Sequence, residues 1–99
     1  MMENMKDYVW MVISIDSDSE TSYEERNDIL STHGFSEYSP NKGVRLPEST
    51  YLGKVPRSEA GSKVDEIWEE LESAELEPRR ILGGVIDEWK VIRSREDKD

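Results

Sequence analysis

A two-layer α+β fold, with an antiparallel sheet covered on one face by two helices, is what the order of apolar patterns along this 99-residue chain predicts. Three observations carry the prediction. The run "DYVWMVISID" alternates in side-chain character at the period of a strand. The stretch from Ala60 to Ala74 repeats its apolar residues at the period of a helix. Glycine, proline, serine and asparagine cut what remains into short strand-compatible pieces. A chain of this length holds one core, so these elements have to share it. Residues 1–93 are therefore expected to form a single domain, and 94–99, "SREDKD", a polar flexible tail.

In the first strand, Val9, Met11, Ile13 and Ile15 fall on one face and Tyr8, Trp10, Val12, Ser14 and Asp16 on the other. Both faces are substantially apolar, which suits a central strand. Ser22 and Glu25 then stand in the spacing of a capping box, in which the hydroxyl serves the N3 amide and the carboxylate reaches back to the cap amide. A first helix should start at about Tyr23. It should stop at "HGF", where Gly34 can take the left-handed conformation and Phe35 can fold back on Ile29 or Leu30.

"FSEY" and "STYLGKV" read as two short strands with turn chemistry in "SPNKG", while Pro47 and Pro56 limit them because proline donates nothing to a ladder. Ser58 can cap a second helix. Its apolar residues Ala60, Val64, Ile67, Trp68, Leu71 and Ala74 are spaced by four, three, one, three and three residues. Pro78 marks the exit, and "RRILGGVIDEWKVIR" suggests a strand to about Val85, a bend at Asp87 and Glu88, and another strand over Trp89–Arg93. Gly83 and Gly84 lack the context of a phosphate loop and suit a β-bulge or a close strand approach.

The resulting order, β-α-β-β-α-β with an additional C-terminal strand, is the split β-α-β of ferredoxin-like domains, whose right-handed crossovers put both helices on one face of the sheet. From Tyr8 to Arg93 the pattern resembles small ferredoxin-like proteins such as the CRISPR spacer-acquisition nuclease subunit and the GhoS antitoxin ribonuclease: an apolar first strand ending near an acidic residue, a short helix with a "GF" exit, and an extra closing strand. The resemblance implies a toxin–antitoxin, CRISPR or phage-defence setting. It also implies a metal-ligating aspartate at the end of the first strand, where Asp16 stands after "VISI".

Composition removes several chemistries. Without cysteine there are neither disulfides nor thiolate metal sites, and the single histidine, His33, cannot build a histidine-rich centre. His33 is read as a helix C-terminal residue favoured by the dipole when protonated. No apolar run approaches the roughly 20 residues that cross a bilayer, and the N-terminus carries acidic residues where a signal peptide needs bases, so a cytoplasmic protein without membrane contact is expected. A net charge of −10 disfavours nucleic acid. That charge is uneven: eight carboxylates between Glu59 and Glu77 face only Lys63, whereas Lys42, Arg45, Lys54 and Arg57 face only Glu48 between Tyr38 and Ser58. The acidic run is either a solvated face, as in a salt-adapted protein, or a surface for a basic protein partner, with Asp65, Glu66, Glu69 and Glu70 as its binding residues.

Two further places invite a functional reading. "SIDSDSETS" sets Asp16, Asp18 and Glu20 on alternate residues, as calcium loops begin, but an EF-hand then needs glycine at position 6 and glutamate at position 12, where this chain has Thr21 and Asn27. Asp16 alone remains as a candidate catalytic residue and Mg²⁺ ligand, two copies meeting across a dimer axis; the competing reading is a strand-exit aspartate before a solvated loop. The other place is the helix-free sheet face. There Tyr8, Trp10, Val12 and Trp89 form an apolar patch suited to a homodimer, the competing reading being that Tyr8 and Trp10 stack on bases. With no base, nucleophile or cluster beyond one acidic loop, the sequence favours a non-enzymatic binding or regulatory module without cofactor over a metal-dependent endonuclease using Asp16 and Mg²⁺.

Overall fold

The computed structural model describes residues 7–17, 23–41, 43–92 and 94. The first strand, β1, runs Tyr8–Ser17 and is followed by helix α1, Tyr23–Thr32. Strands β2, Phe35–Ser36, and β3, Thr50–Pro56, come next; a single 3₁₀ turn, Arg57–Glu59, then leads into helix α2, Ala60–Ser73, and strand β4, Pro78–Ile86. The four strands form one sheet in the order β2-β3-β1-β4, and every neighbouring pair is antiparallel. The protein is thus a two-layer α+β structure.

Strand alternation builds the core. Val9, Met11, Ile13 and Ile15 of β1 are all buried on the helix side, joined by Tyr51 and Val55 of β3 and by Phe35. The helices meet them with Leu30 from α1 and with Ile67 and Leu71 from α2. Burying side chains of this size contributes about 1.5–3 kcal/mol each. Leu76, between α2 and β4, joins the same cluster, although no periodicity marks it in the sequence.

The end of α1 follows its chemistry. Gly34 takes φ +87°, its N–H bonds the Ser31 carbonyl at 2.9 Å, and Phe35 turns back into the cluster that holds Leu30 and Ile29. The capping box at Ser22 and Glu25 lies outside the described residues, because Ser22 is not among them.

Several expectations give way to tertiary structure. Strand β2 is only two residues long, because the "SEYSPNKGVRL" segment bonds to itself: Ser39 N–H meets the Val44 carbonyl at 2.8 Å and Leu46 N–H the Glu37 carbonyl at 2.8 Å. Ser58 does not cap α2. It lies inside the 3₁₀ turn, and Glu59 takes the cap position with no side-chain bond to the helix. Ala74 is exposed at the C-terminal cap of α2, off the apolar stripe.

Strand β4 starts at Pro78 and runs through both glycines to Ile86; its register shift lies at Asp16/Ser17, away from the glycine pair. Gly83 is instead a close approach. A Cβ there would stand 2.6 Å from Val64 Cγ2 of α2 and 2.9 Å from Met11 Cε. Beyond a bend at Asp87, residues 88–92 form no strand, and Arg93 lies outside the described residues. The segment drawn in the sequence as an additional strand brings Trp89 onto Trp10 instead.

Candidate functional site

Trp10 sits near one end of the sheet face that carries no helix, on the inner strand β1. Alternation turns it away from the core, and its cross-strand neighbours are Lys54 on β3 and Ile86 on β4. The Lys54 ammonium stands 5.3 Å from the centre of the indole, a cation–π contact worth about 0.5–1 kcal/mol at an exposed site. Trp89 arrives from beyond β4 with its ring centroid 5.8 Å away and its plane at 72°, the edge-to-face arrangement that aromatic quadrupoles favour. Val12 pairs with Leu52, which is buried on this second face, and with Gly84. Tyr8 is exposed at the start of the strand. The sheet thus brings Trp10, Val12 and Trp89 together as a half-covered apolar surface, extended along β4 by Ile86 and by Leu82, whose side chain is 70 % exposed.

Asp16 lies on the same face but at its far end, paired across the ladder with Arg80. Arg80 Nε donates to Asp16 Oδ2 at 3.0 Å, and both side chains are largely in water. The carboxylate is therefore partly neutralised by its own neighbour. Among the described residues no group of three or more histidines or carboxylates comes together; Asp18 and Glu20 lie outside them. Beside Asp16, a groove of about 620 Å³ runs along the outer side of β4, walled by Val64, Asp65 and Trp68 of α2 and by Arg80, Ile81 and Leu82.

The acidic helix face is less open than its charge suggests. Asp65, Glu66, Glu69 and Glu70 are all exposed on α2. Glu70 Oε2, however, is 3.0 Å from His33 Nε2, and Glu66 Oε1 is 3.4 Å from Lys63 Nζ and 4.0 Å from His33 Nδ1. His33, read from the sequence as the end of α1, ties α1 to α2 through two of the four acidic residues.

The largest polar assembly is one that the sequence did not mark. Arg26, in α1, is 7 % exposed and spreads its guanidinium over three elements: Nε donates to Tyr51 Oη at 3.1 Å, Nη1 to Ser17 Oγ at 3.0 Å and Nη2 to Ser49 Oγ at 3.0 Å. Tyr51 donates in turn to Asn27 Oδ1, and Asn27 Nδ2 to Glu37 Oε2 at 3.3 Å. Tyr23 Oη donates to Glu37 Oε1 at 2.6 Å and accepts from Arg45 Nη2 at 2.7 Å. Burial pushes the Tyr51 phenol up from its ordinary value, and the hydrogen bond and charge of Arg26 pull it part of the way back. The bonds link β1, α1, β3 and the loop between the middle strands, so the network fastens elements to one another. One signal was available in the sequence: Arg26 precedes Leu30 by four residues and shares its helix face, where an apolar residue would ordinarily stand.

The geometry thus offers an apolar sheet face with a groove at its edge, an isolated ion-paired aspartate, and an acidic helix face partly held from within. No protein-family model, no curated protein and no solved structure matches the chain.

Proposed function

We propose that this chain is a small acidic binding module, without a catalytic role, that works as a homodimer through the β1–β4 side of its sheet. The observation that carries the reading is where the exposed apolar residues lie. Among the described residues Tyr8 opens β1 on the Trp10 face, Leu82 and Val85 lie on opposite faces of the outer strand β4, and Ile92 follows it, so that of the exposed large apolar residues only Tyr38 stands away from the β1–β4 side. Exposed apolar surface gathered in one place marks a partner far better than the same residues scattered. The strand order with its antiparallel neighbours, and a helix after β1 and after β3, favour a ferredoxin-like reading of the architecture, in which one sheet face is left for such contacts.

The ion pair of Asp16 with Arg80 favours a structural aspartate over a metal-dependent endonuclease, since a metal ligand set needs further donors where the guanidinium now sits. A basic partner on α2 is the lesser candidate, because Glu66 and Glu70 are already engaged by Lys63 and His33. Light scattering or sedimentation tests the proposal. The expected mass is twice that of the chain, falling to the chain mass in Leu82→Glu. A single-chain mass for the unaltered protein at every concentration overturns it.

A further inference from the structure

We propose that two copies pair through their β4 strands, antiparallel across a two-fold axis at Gly83, so that Leu82 of each copy lies opposite Gly84 of the other. The inference rests on the homodimer reading and specifies the contact. Among the described residues β4 is an outer strand of the sheet, so over 81–86 alternate backbone N–H and C=O groups point away from β1 and from every other described strand. Natural edges are ordinarily guarded by charge, proline, a bulge or shortness. The other edge follows that rule, since β2 has two residues. In β4 the six residues Ile81 to Ile86 contain no charge, no proline and no register shift.

A two-fold antiparallel pair joins residues whose numbers have a constant sum. Because outward-facing backbone groups recur at every second residue, neighbouring registers move that sum by two. Centring on Gly83 opposes Arg79 to Asp87, Ile81 to Val85, and Leu82 to Gly84. Each pairing suits what the structure shows. Leu82 is 70 % exposed, while the space where a Cβ of Gly84 would stand has no heavy atom within 4 Å, so bulk meets room. Gly83 is accounted for inside the chain by the Val64 contact, but Gly84 is not. Val85, 43 % exposed, lies against the partly buried Ile81 of the other copy, beside the apolar wall that Val64 and Trp68 give the groove. At the two ends of the pair Arg79 approaches Asp87, at the bend just past β4, so that opposite charges are brought near each other twice. Centring on Leu82 sets Leu82 against itself and Arg80 against Gly84; centring on Gly84 sets Ile81 against Asp87. Neither matches as well.

The absence of cysteine makes the register directly readable. Leu82→Cys and Gly84→Cys are prepared separately, both at positions with room for the change, and oxidised alone and mixed. Directly opposed residues lie about 4.5–5.5 Å apart at Cβ, close to the reach of a disulfide. The expected result is a covalent dimer from the mixture, with neither variant cross-linking to itself. Self-cross-linking of Leu82→Cys or of Gly84→Cys, or no cross-link in a protein that still scatters as a dimer, overturns the register and leaves the homodimer standing. A monomer throughout overturns both. As a second measurement, Arg79→Glu and Asp87→Arg should each weaken dimerisation about tenfold and recover together in one chain; failure of that recovery counts against the register.

Discussion

Arg26 follows Leu30 into the protein because a helix brings residues four apart to the same face, and the interior receives a charge there that only hydrogen bonds can make tolerable. Three acceptors from Ser17, Ser49 and Tyr51 meet three separate nitrogens of one planar group, a geometry that an ammonium cannot reproduce. Arg26→Met, which keeps the stem and removes the donors, is expected to cost roughly 1–3 kcal/mol in urea unfolding, and Arg26→Lys should recover little of it. Tyr51 adds a pH dependence. Its phenol holds the proton more tightly in the folded chain than in the unfolded one, where the value is about 10, so the contribution is whole below that pH and is lost as pH rises through the folded value. Tyr51→Phe should flatten the alkaline loss of stability measured by thermal unfolding above about pH 10. Asp16 is the opposite case, an exposed ion pair worth at most about 1 kcal/mol. Asp16→Asn should leave the thermal midpoint nearly unchanged, and the unaltered protein should leave RNA and DNA intact in Mg²⁺; cleavage abolished by that substitution would reinstate the endonuclease. Sequence reasoning placed Asp16 and Trp10 on the correct face because a strand repeats every two residues. It missed Arg26 because a charged residue is ordinarily read as solvated, and only its four-residue spacing from Leu30 marked the buried face of a weakly amphipathic helix.

At the level of elements, β1 and α2 were legible from their periods and α1, β3 and β4 from their turn and proline limits, whereas the length of β2 and the course of the chain after β4 answered to contacts that no local pattern encodes. β2 shrank because the loop after it found its own hydrogen bonds, and residues 89–92 form no strand as Trp89 meets Trp10. The glycine pair of β4 shows the same division. A methyl group on Gly83 runs into Val64 of α2, so Gly83→Ala is expected to destabilise by about 1–3 kcal/mol, as overpacking does. Val64→Ala in the same chain should return part of that loss, and the coupling in a double-mutant cycle measures how closely helix and strand are set. Additive effects would mean that the helix simply moves aside.

For the molecule as a whole, a net charge of −10 on 99 residues opposes compactness through self-repulsion, concentrated where α2 carries its carboxylates. Salt shortens the Debye length from about 10 Å at 0.1 M to about 3 Å at 1 M, so the thermal midpoint should rise over that interval. The rise should be smaller in the Asp65→Asn, Glu69→Gln, Glu72→Gln variant, which removes three of those charges. An equal rise would place the effect in salt acting on apolar surface.

The two-residue β2 bears on something other than the fold of one chain. Sheets joined edge to edge polymerise when each unit offers two adhesive sides, as fibrils do. Here a pair joined through β4 would present only β2 at both outer limits, too short to recruit another strand. Growth would stop after one step, and the brevity of that strand would act as a chain terminator.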